Sequence, residues 1–539
     1  MKFTITRAVV VLALFVSGSV AGIAQNNALF GTDHIPELKL TIRQSNWMHV
    51  LDSMKLQGEG MIVGSAEIDG IKYPNVGIRY RGQSSYTYSG DKNPYQLELN
   101  YIHPDQNHQG YRSLTLSNAL RDPSYLREYL GFSIAGQYMN TPKANFIHLY
   151  VNNDYAGIYV GIEPVDADYL ERRTGDAWTA LFKCSPEIGE GKNPEGCKQN
   201  TFGNLEYEED ANCYLYNYNL KEGEGWSDLI ELTRILRDEP QRIGSVLDVD
   251  AVLWMHAFNN LTANLSSYSG QHSSNYYLFR DAQGLFQPVI WDLNLAFGSF
   301  KNTGQGSDLS LQEMIELDPF LQQDNVTKPL ISQLLRDELN RKIYIAHMRQ
   351  IMKEHFKRDA FRKLAETKHA IILPSIKKEK NRYYSDEDIA NSLDKTIGTR
   401  SNIPGLVTFM NDRVNYLKRL EAFTVVEPVV ISADAAKRKK YDDAEMDSFT
   451  ISVIADKLPK RMHLYYRFQD DQPFTMVLME PKPEDKLEDG QGRFVSRIVP
   501  SAGQSSIEYY VMAENAAAVS FYPSDYRQNP IRIALEDLN

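Results

Sequence analysis

Between Asn264 and Gly298 the chain reads NLSSYSGQHSSNYYLFRDAQGLFQPVIWDLNLAFG, and this stretch restricts the fold more than any other. Asn275 to Arg280 is rich in aromatic and aliphatic residues, Asp281-Ala-Gln-Gly284 supplies turn residues, and Leu285 to Asp292 resumes a strand pattern. Strand, turn and strand at that spacing predict a hairpin. A helical pattern from Asp248 to Leu265 leads into it through a polar loop. The hairpin is bracketed by Asn275 at its start and Asp292 at its end, with Asn294 just beyond. An amide and a carboxylate at neighbouring strand ends can share Mg2+, which takes one or two protein oxygens and completes its shell with water or phosphate. Taken alone, an acid in such a place is more often a turn cap.

The rest of the chain predicts an α+β body followed by an all-β module. From Leu38 to about Lys183, strand-like runs occur at Gly60 to Ile68, Tyr73 to Arg81, Tyr95 to Leu99 and Phe146 to Val151. Asp122-Pro123-Ser124 predicts the start of a helix carrying Leu126, Leu130, Ile134 and Tyr138 on one side. Glu187 to Asn212 lacks periodicity and predicts a long surface loop, of the length used for lids and binding loops. Helical spacing returns at Trp226 to Arg237, Pro329 to Phe356 and Pro404 to Phe423. Beyond Phe423, short strands at sandwich-like spacing, beginning with Val425 to Ser432, predict a separate β-sandwich over 424–539.

Lys2 and Arg7, the apolar run Ala8 to Val16 and small residues up to Ala24 form a signal peptide pattern, so residues 1–24 predict export. No stretch is long and apolar enough to predict an integral membrane span. With 58 Lys and Arg against 70 Asp and Glu, the net charge of −12 excludes a global basic field, and nucleic acid is not an expected partner. Lys437-Arg-Lys-Lys440 is followed by Asp442 and Asp443 and reads as a solvated turn. Cys184, Cys197 and Cys213 lack a CxxC pair, so in an exported chain they predict one disulfide and one spare thiol, with the pairing open. His148, His256 and His272 stand isolated, and no GxSxG or HExxH motif occurs. Asp166 and Asp168 read as first-turn acids of a short helix.

A second candidate for chemistry is Gly77-Ile-Arg-Tyr-Arg81-Gly82-Gln83-Ser84-Ser85, a strand entering a small-residue loop, with Lys92 shortly after it. Such a loop can fold over phosphates, with backbone N–H groups and cationic side chains as partners. Glu128, on the helix that follows, can pair with Lys92 as the helix glutamate does in protein kinases.

Together with LSNALRDPSYLREYL at 116–130, LYVNNDYAGIYVGIEPVDADYL at 149–170, LFK at 181–183 and PLISQLL at 329–335, these segments resemble the CotH kinase family over about residues 38–421. The resemblance implies an atypical protein-kinase-like fold with a helical C-terminal lobe over 25–423, binding ATP and Mg2+ and transferring phosphate to hydroxyls of a protein substrate. It implies Asp292 as the metal-binding acid, Asn275 as a second metal ligand, Arg81 and Lys92 as phosphate contacts, and Glu128 near them. The residues after 424 resemble Ig-like or fibronectin-like modules of exported proteins. Where active members read N-L-D-x-Y, this chain has Asn264-Leu265-Ser266-Ser267-Tyr268, so Ser266 occupies the catalytic acid's place. Loss of a positioned base typically costs about 10²- to 10⁴-fold. Two readings follow: an exported kinase, or a pseudokinase that acts by binding nucleotide or a surface partner. Sandwiches of this kind often bind glycans, which keeps glycan contact by 424–539 as a third.

Overall fold

The computed structural model describes residues 28–58, 60–185, 193–198, 202–357, 359–399, 401–437, 448–469, 472–483, 487–501 and 503–537. The predicted signal peptide and residues 438–440 of the basic run lie outside them.

Seven strands, β1 (Glu37–Thr41), β2 (Ile62–Ile68), β3 (Ile71–Tyr80), β4 (Tyr95–Glu98), β5 (Ser113–Ser117), β6 (Ala144–Val151) and β7 (Asp154–Ile162), close into a barrel. Their order is β1-β2-β3-β4-β5-β7-β6, and the closing seam between β1 and β6 is parallel. Ile78, Tyr80, Leu97, Leu114, Leu116 and Tyr159 belong to a buried core private to the barrel. Because side chains alternate along a strand, Arg79, Gln96, Thr115 and Ser117 are left on its outer face, where Thr115 Oγ1 donates to Gln96 Oε1 at 2.9 Å across β5 and β4. Helix α1 (Trp47–Gln57) packs on β2 and β3.

The helix expected from Asp122 begins later, as α2 (Arg127–Ala135), and Tyr138 falls beyond its end. Tyr125 sits at φ +60°, a left-handed conformation that a helix cannot continue through. Asp122 still caps the helix, its Oδ2 accepting the Arg127 N–H at 2.6 Å from across that extra turn.

A second sheet is built from β8 (Trp178–Cys184), β9 (Asn219–Gly223), β10 (Tyr276–Asp281) and β11 (Phe286–Ile290), in the order β11-β10-β8-β9. The predicted hairpin is β10–β11, and Asp281 Oδ1 closes its turn by accepting the N–H groups of Gln283 at 3.1 Å and Leu285 at 2.8 Å. Six longer helices pack with these sheets: α3 (Ala167–Thr174), α4 (Trp226–Asp238), α5 (Val249–Leu261), α6 (Glu338–His355), α7 (Ala360–Lys378) and α8 (Leu406–Leu417). The periodic stretch from Pro329 is not one helix; Asp337 interrupts it in extended conformation and caps α6 through the Asn340 N–H at 2.9 Å.

The loop expected over 187–212 is in part a core segment. Residues 186–192 and 199–201 lie outside the described residues, but Leu205 is fully buried and Tyr268 Oη donates to the Asn204 carbonyl at 2.8 Å. Cys197 and Cys213 form the disulfide, and Cys184 is the buried free thiol.

Strands β12 (Val429–Lys437), β13 (Phe449–Asp456), β14 (Arg461–Arg467), β15 (Thr475–Leu478), β16 (Glu480–Lys482), β17 (Gly492–Ile498), β18 (Ser506–Glu514), β19 (Val519–Tyr522) and β20 (Ile531–Ala534) form two sheets. The sheets share a core that includes Ile451, Val453, Leu464, Phe494, Tyr509 and Val511. This sandwich is fused to the helical lobe, since Tyr510, Met512, Val519 and Tyr526 join the large core of the preceding residues. Asp250 gathers His347 Nε2 at 2.9 Å, Tyr526 Oη at 2.8 Å and Arg527 Nη1 at 2.7 Å, while Arg527 Nη2 reaches Asp248 at 3.0 Å.

Candidate functional site

The outer face of β3 and β5, the start of α2 and the end of β11 meet in one place. Arg81 follows β3 directly, its N–H donating to the Pro94 carbonyl at 3.0 Å and its guanidinium lying 5.7 Å from the Trp291 ring centre. Gly82 then turns the chain at φ +74°, in a spot where a Cβ would run into the Ser85 hydroxyl. Glu128 projects from the first turn of α2, is 4% exposed, and is hydrogen-bonded by Ser117 of β5. Asp292 follows β11, half-buried and at φ +55°. Asn275, at the other end of the hairpin, is also left-handed at φ +62°, and its carbonyl accepts the Trp291 N–H at 3.1 Å. Asp and Asn tolerate that conformation best among residues with a Cβ, and strained backbone of this kind gathers at functional sites.

Electrostatics ties these side chains together. Burial, and next the nearby charge of Asp292, push the Glu128 carboxyl up to about 8, against the pull of Ser117 and Arg81. Burial likewise raises Asp292, opposed by the charges of Arg81 and Lys183. Lys183 stands on β8 opposite Tyr277 of β10, whose ring meets Trp291 edge-on at 5.6 Å. Two carboxyl groups and two cations therefore gather where the barrel meets the second sheet.

A hard divalent cation fits this donor set. Glu128 Oε2 is buried without a hydrogen-bond partner, which is costly unless a donor or cation satisfies it. Asn275 directs its Nδ2 to the carbonyl and hydroxyl of Ser266, both at 3.0 Å, so that its carbonyl oxygen is the end left for a ligand. Glu128, Asp292 and Asn275 would hold Mg2+, with phosphate oxygens completing the shell.

The structure separates Lys92 from this group. Its ammonium lies 2.6 Å from Glu379 Oε2, with side chains 1% and 0% exposed, and 4.6 and 5.4 Å from the ring centres of Tyr125 and Tyr159. Glu379 caps the end of α7, accepts the Ile158 N–H at 2.7 Å and receives Tyr125 Oη at 3.1 Å. The expected Lys92–Glu128 pair is thus replaced by Lys92–Glu379, because Glu128 is turned towards Ser117 and Asp292. Glu379, Tyr125 and Tyr159 thus enclose the Lys92 ammonium.

Ser266 lies beside the site through its bonds from Asn275, in the place where the resemblance expects an acid. The loop that carries it is held by the buried Lys328, which donates to the carbonyls of Tyr268 at 3.1 Å and Gly270 at 2.5 Å and to the Ser273 hydroxyl. Sequence reasoning missed Lys183, Glu379 and Ser117. Lys183 sits inside the LFK segment and carried a signal; Glu379, 287 positions from its partner, carried none.

A curated relative, inner spore coat protein H of Bacillus subtilis (strain 168), is 24% identical over 230 residues, covering 42% of this chain and 59% of that protein. The chain therefore matches somewhat over half of that relative's length. Among solved structures, the carbohydrate-binding module of the muscle glycogen-targeting subunit of protein phosphatase-1 aligns at 10% identity and a TM-score of 0.14, over 20% of this chain and 74% of that one. The Pseudomonas fluorescens alkylpurine DNA glycosylase AlkC aligns at 12% identity and a TM-score of 0.12, over 58% and 78%. At such TM-scores neither likeness bears on fold or function. The family model described as CotH kinase protein matches residues 78–417, a span that contains Arg81, Glu128, Lys183, Ser266, Asn275 and Asp292, and the chain belongs to this family.

Proposed function

We propose that this chain binds ATP with Mg2+ at this site and transfers phosphate to a Ser or Thr hydroxyl of a protein substrate after export. The observation that carries the reading is the convergence of Glu128, Asp292, Arg81 and Lys183 in one place, with an acceptor oxygen of Glu128 unsatisfied. Bound nucleotide and cation supply the transferable phosphoryl group and part of the charge that offsets it. Glu128 and Asp292 hold the cation, Asn275 offers its carbonyl oxygen, and Arg81 and Lys183 face the phosphate oxygens. The sandwich, fused to the helical lobe, is the surface proposed to meet a protein partner or glycan. The relative's name, a spore coat protein, supports a surface or coat-associated location, in keeping with the signal peptide pattern.

Ser266 favours a second reading, a nucleotide-binding pseudokinase. A serine hydroxyl cannot accept a proton as a carboxylate does. Mg2+-dependent ATP binding and phosphate transfer by the full chain, run beside Asp292→Ala and Ser266→Asp, separates the two. Native transfer that Asp292→Ala abolishes supports the kinase. If ATP binds but only Ser266→Asp transfers, by about 10²-fold or more above the native chain, the pseudokinase reading stands. Absence of nucleotide binding by the native chain and Ser266→Asp alike overturns both.

A further inference from the structure

Arg79 and Arg81 are two positions apart at the edge of the site, so strand alternation puts both on the barrel's outer side. Helix α1 packs on β3 and brings a third cation to them, Lys55, whose ammonium lies 5.9 Å from the Tyr86 ring centre. Tyr86 is itself fixed, its hydroxyl donating to Asp52 Oδ1 at 2.7 Å while Asp52 Oδ2 accepts the Ser89 N–H at 3.2 Å. Burial, and then the charges of Arg79 and Arg81, push the Lys55 ammonium down, which places the three charges in one field.

Among the described residues, none of these cations lies within 4.0 Å of a carboxylate oxygen, whereas Arg172, Arg234, Arg349 and Arg527 all do. In a chain of net charge −12, Lys55 and Arg79 gather beside Arg81, whose charge also acts on Glu128 and Asp292, and a bound anion would relieve the repulsion among the three cations. The charge requirement of the site names the anion. A nucleoside triphosphate carries roughly four negative charges near neutrality. Where a divalent cation displaces the Glu128 proton, Glu128 and Asp292 offset its charge, which leaves the phosphate chain to be met by protein cations. Arg81 and Lys183 supply two, and Lys55 and Arg79 complete the set. A monophosphate, with about two negative charges, is served by the inner pair alone.

We infer that Lys55 and Arg79 extend the Arg81 site into a cationic face that binds the phosphate chain of the nucleotide and distinguishes a triphosphate from a monophosphate. The inference rests on the nucleotide reading above. It assigns Lys55, before the barrel's second strand, a role in the same site as Asp292, with Arg79 supplying bidentate hydrogen bonding and Lys55 a mobile point charge.

Calorimetric titration of the full chain with ATP, AMP and inorganic tripolyphosphate, each with Mg2+, tests it against the double variant Lys55→Met/Arg79→Gln. Neither side chain has a carboxylate partner to lose, and thermal unfolding of the variant checks that it folds. The native chain should bind ATP more tightly than AMP; the double variant should lose about tenfold or more for ATP and tripolyphosphate, and under about twofold for AMP. Lys55→Arg/Arg79→Lys should keep most of the native affinity. A double variant that binds ATP as the native chain does overturns the inference and leaves the nucleotide reading in place. Native binding of tripolyphosphate but not ATP, lost in the double variant, supports the cationic face and overturns the nucleotide reading. A native chain that binds neither overturns both.

Discussion

Two groups of charge border the barrel, and they are built on opposite plans. Lys92 and Glu379 are matched one to one at 2.6 Å, closed off from solvent, and Glu379 gains further hydrogen bonds from Ile158 and Tyr125. Glu128 and Asp292 are carboxyl groups beside one another, the charge of Asp292 helping to raise Glu128, with Arg81 and Lys183 as half-buried partners and one carboxyl oxygen of Glu128 without a hydrogen-bond partner. The first arrangement is complete without a ligand and joins α7 to the barrel. The second leaves a buried carboxyl oxygen unsatisfied, the kind of perturbed cluster on which the proposed cation and nucleotide site rests. A buried Lys–Glu pair is thus present, made with Glu379 at the end of α7 and not with Glu128.

The largest effect expected from breaking this contrast is Glu379→Ala. Removing one partner of a buried ion pair leaves an uncompensated charge and costs about 3–5 kcal/mol. Chemical denaturation should show that loss, and the double variant Lys92→Met/Glu379→Ala should recover part of it, because the stranded ammonium is gone. Equal stability of native chain and Glu379→Ala would mean that the pair is solvated and not structural.

The next effect concerns pH. Glu128 is raised from its ordinary 4.5 to about 8 in the folded chain. An unfolded chain releases that proton near 4.5, while the folded chain holds it until about 8. Between those values folding takes up a proton, so this group makes stability fall as pH rises from 4.5 to 8, by about 2 to 4 kcal/mol when the sharing with Asp292 is allowed for. Glu128→Gln should flatten the slope. Lys92, lowered from 10.5 by burial, acts with the opposite sign in alkali, where the unfolded lysine keeps its proton longer and stability rises with pH. Denaturation midpoints at pH 5 and pH 8 that move alike in the native chain and Glu128→Gln would contradict the raised carboxyl.

How far each group was legible in the sequence follows from the same contrast. The hairpin from Asn275 to Asp292 is local: alternation, an Asp–Gly turn and two bracketing polar residues give its ends directly, and the site inherits them. Arg81 was likewise visible as a strand running into Gly82. The Lys92–Glu379 pair was not, because packing across 287 positions creates it, and α7 hides its buried stripe of Phe361, Ala365, Ile372 and Ile376 among charged residues. The parallel β1–β6 seam that closes the barrel is equally non-local. The start of α2 was misread because Asp122-Pro123-Ser124 carries helix-start chemistry while Tyr125, left-handed at φ +60°, delays the helix. Lys183 was written in the LFK segment, but alternation gives a face of a strand and not the neighbour across the sheet.

The smallest and most discriminating effect is expected at Asp292. Asp292→Asn keeps the shape and removes the charge that, after burial, helps to hold the Glu128 carboxyl up, while Arg81 and Lys183, half-buried, lose a partner that water partly replaces. Stability should stay level or rise by about 1 kcal/mol, as is common when a strained functional site is neutralised. Mg2+-dependent ATP affinity should meanwhile fall about tenfold or more, since an amide is a poor substitute for a carboxylate on a hard cation. This opposite movement of stability and binding is the signature of a site, and the Lys92–Glu379 pair cannot produce it. Stability that drops by several kcal/mol in Asp292→Asn would instead place Asp292 with Glu379, as a structural acid, and remove the cation role from it.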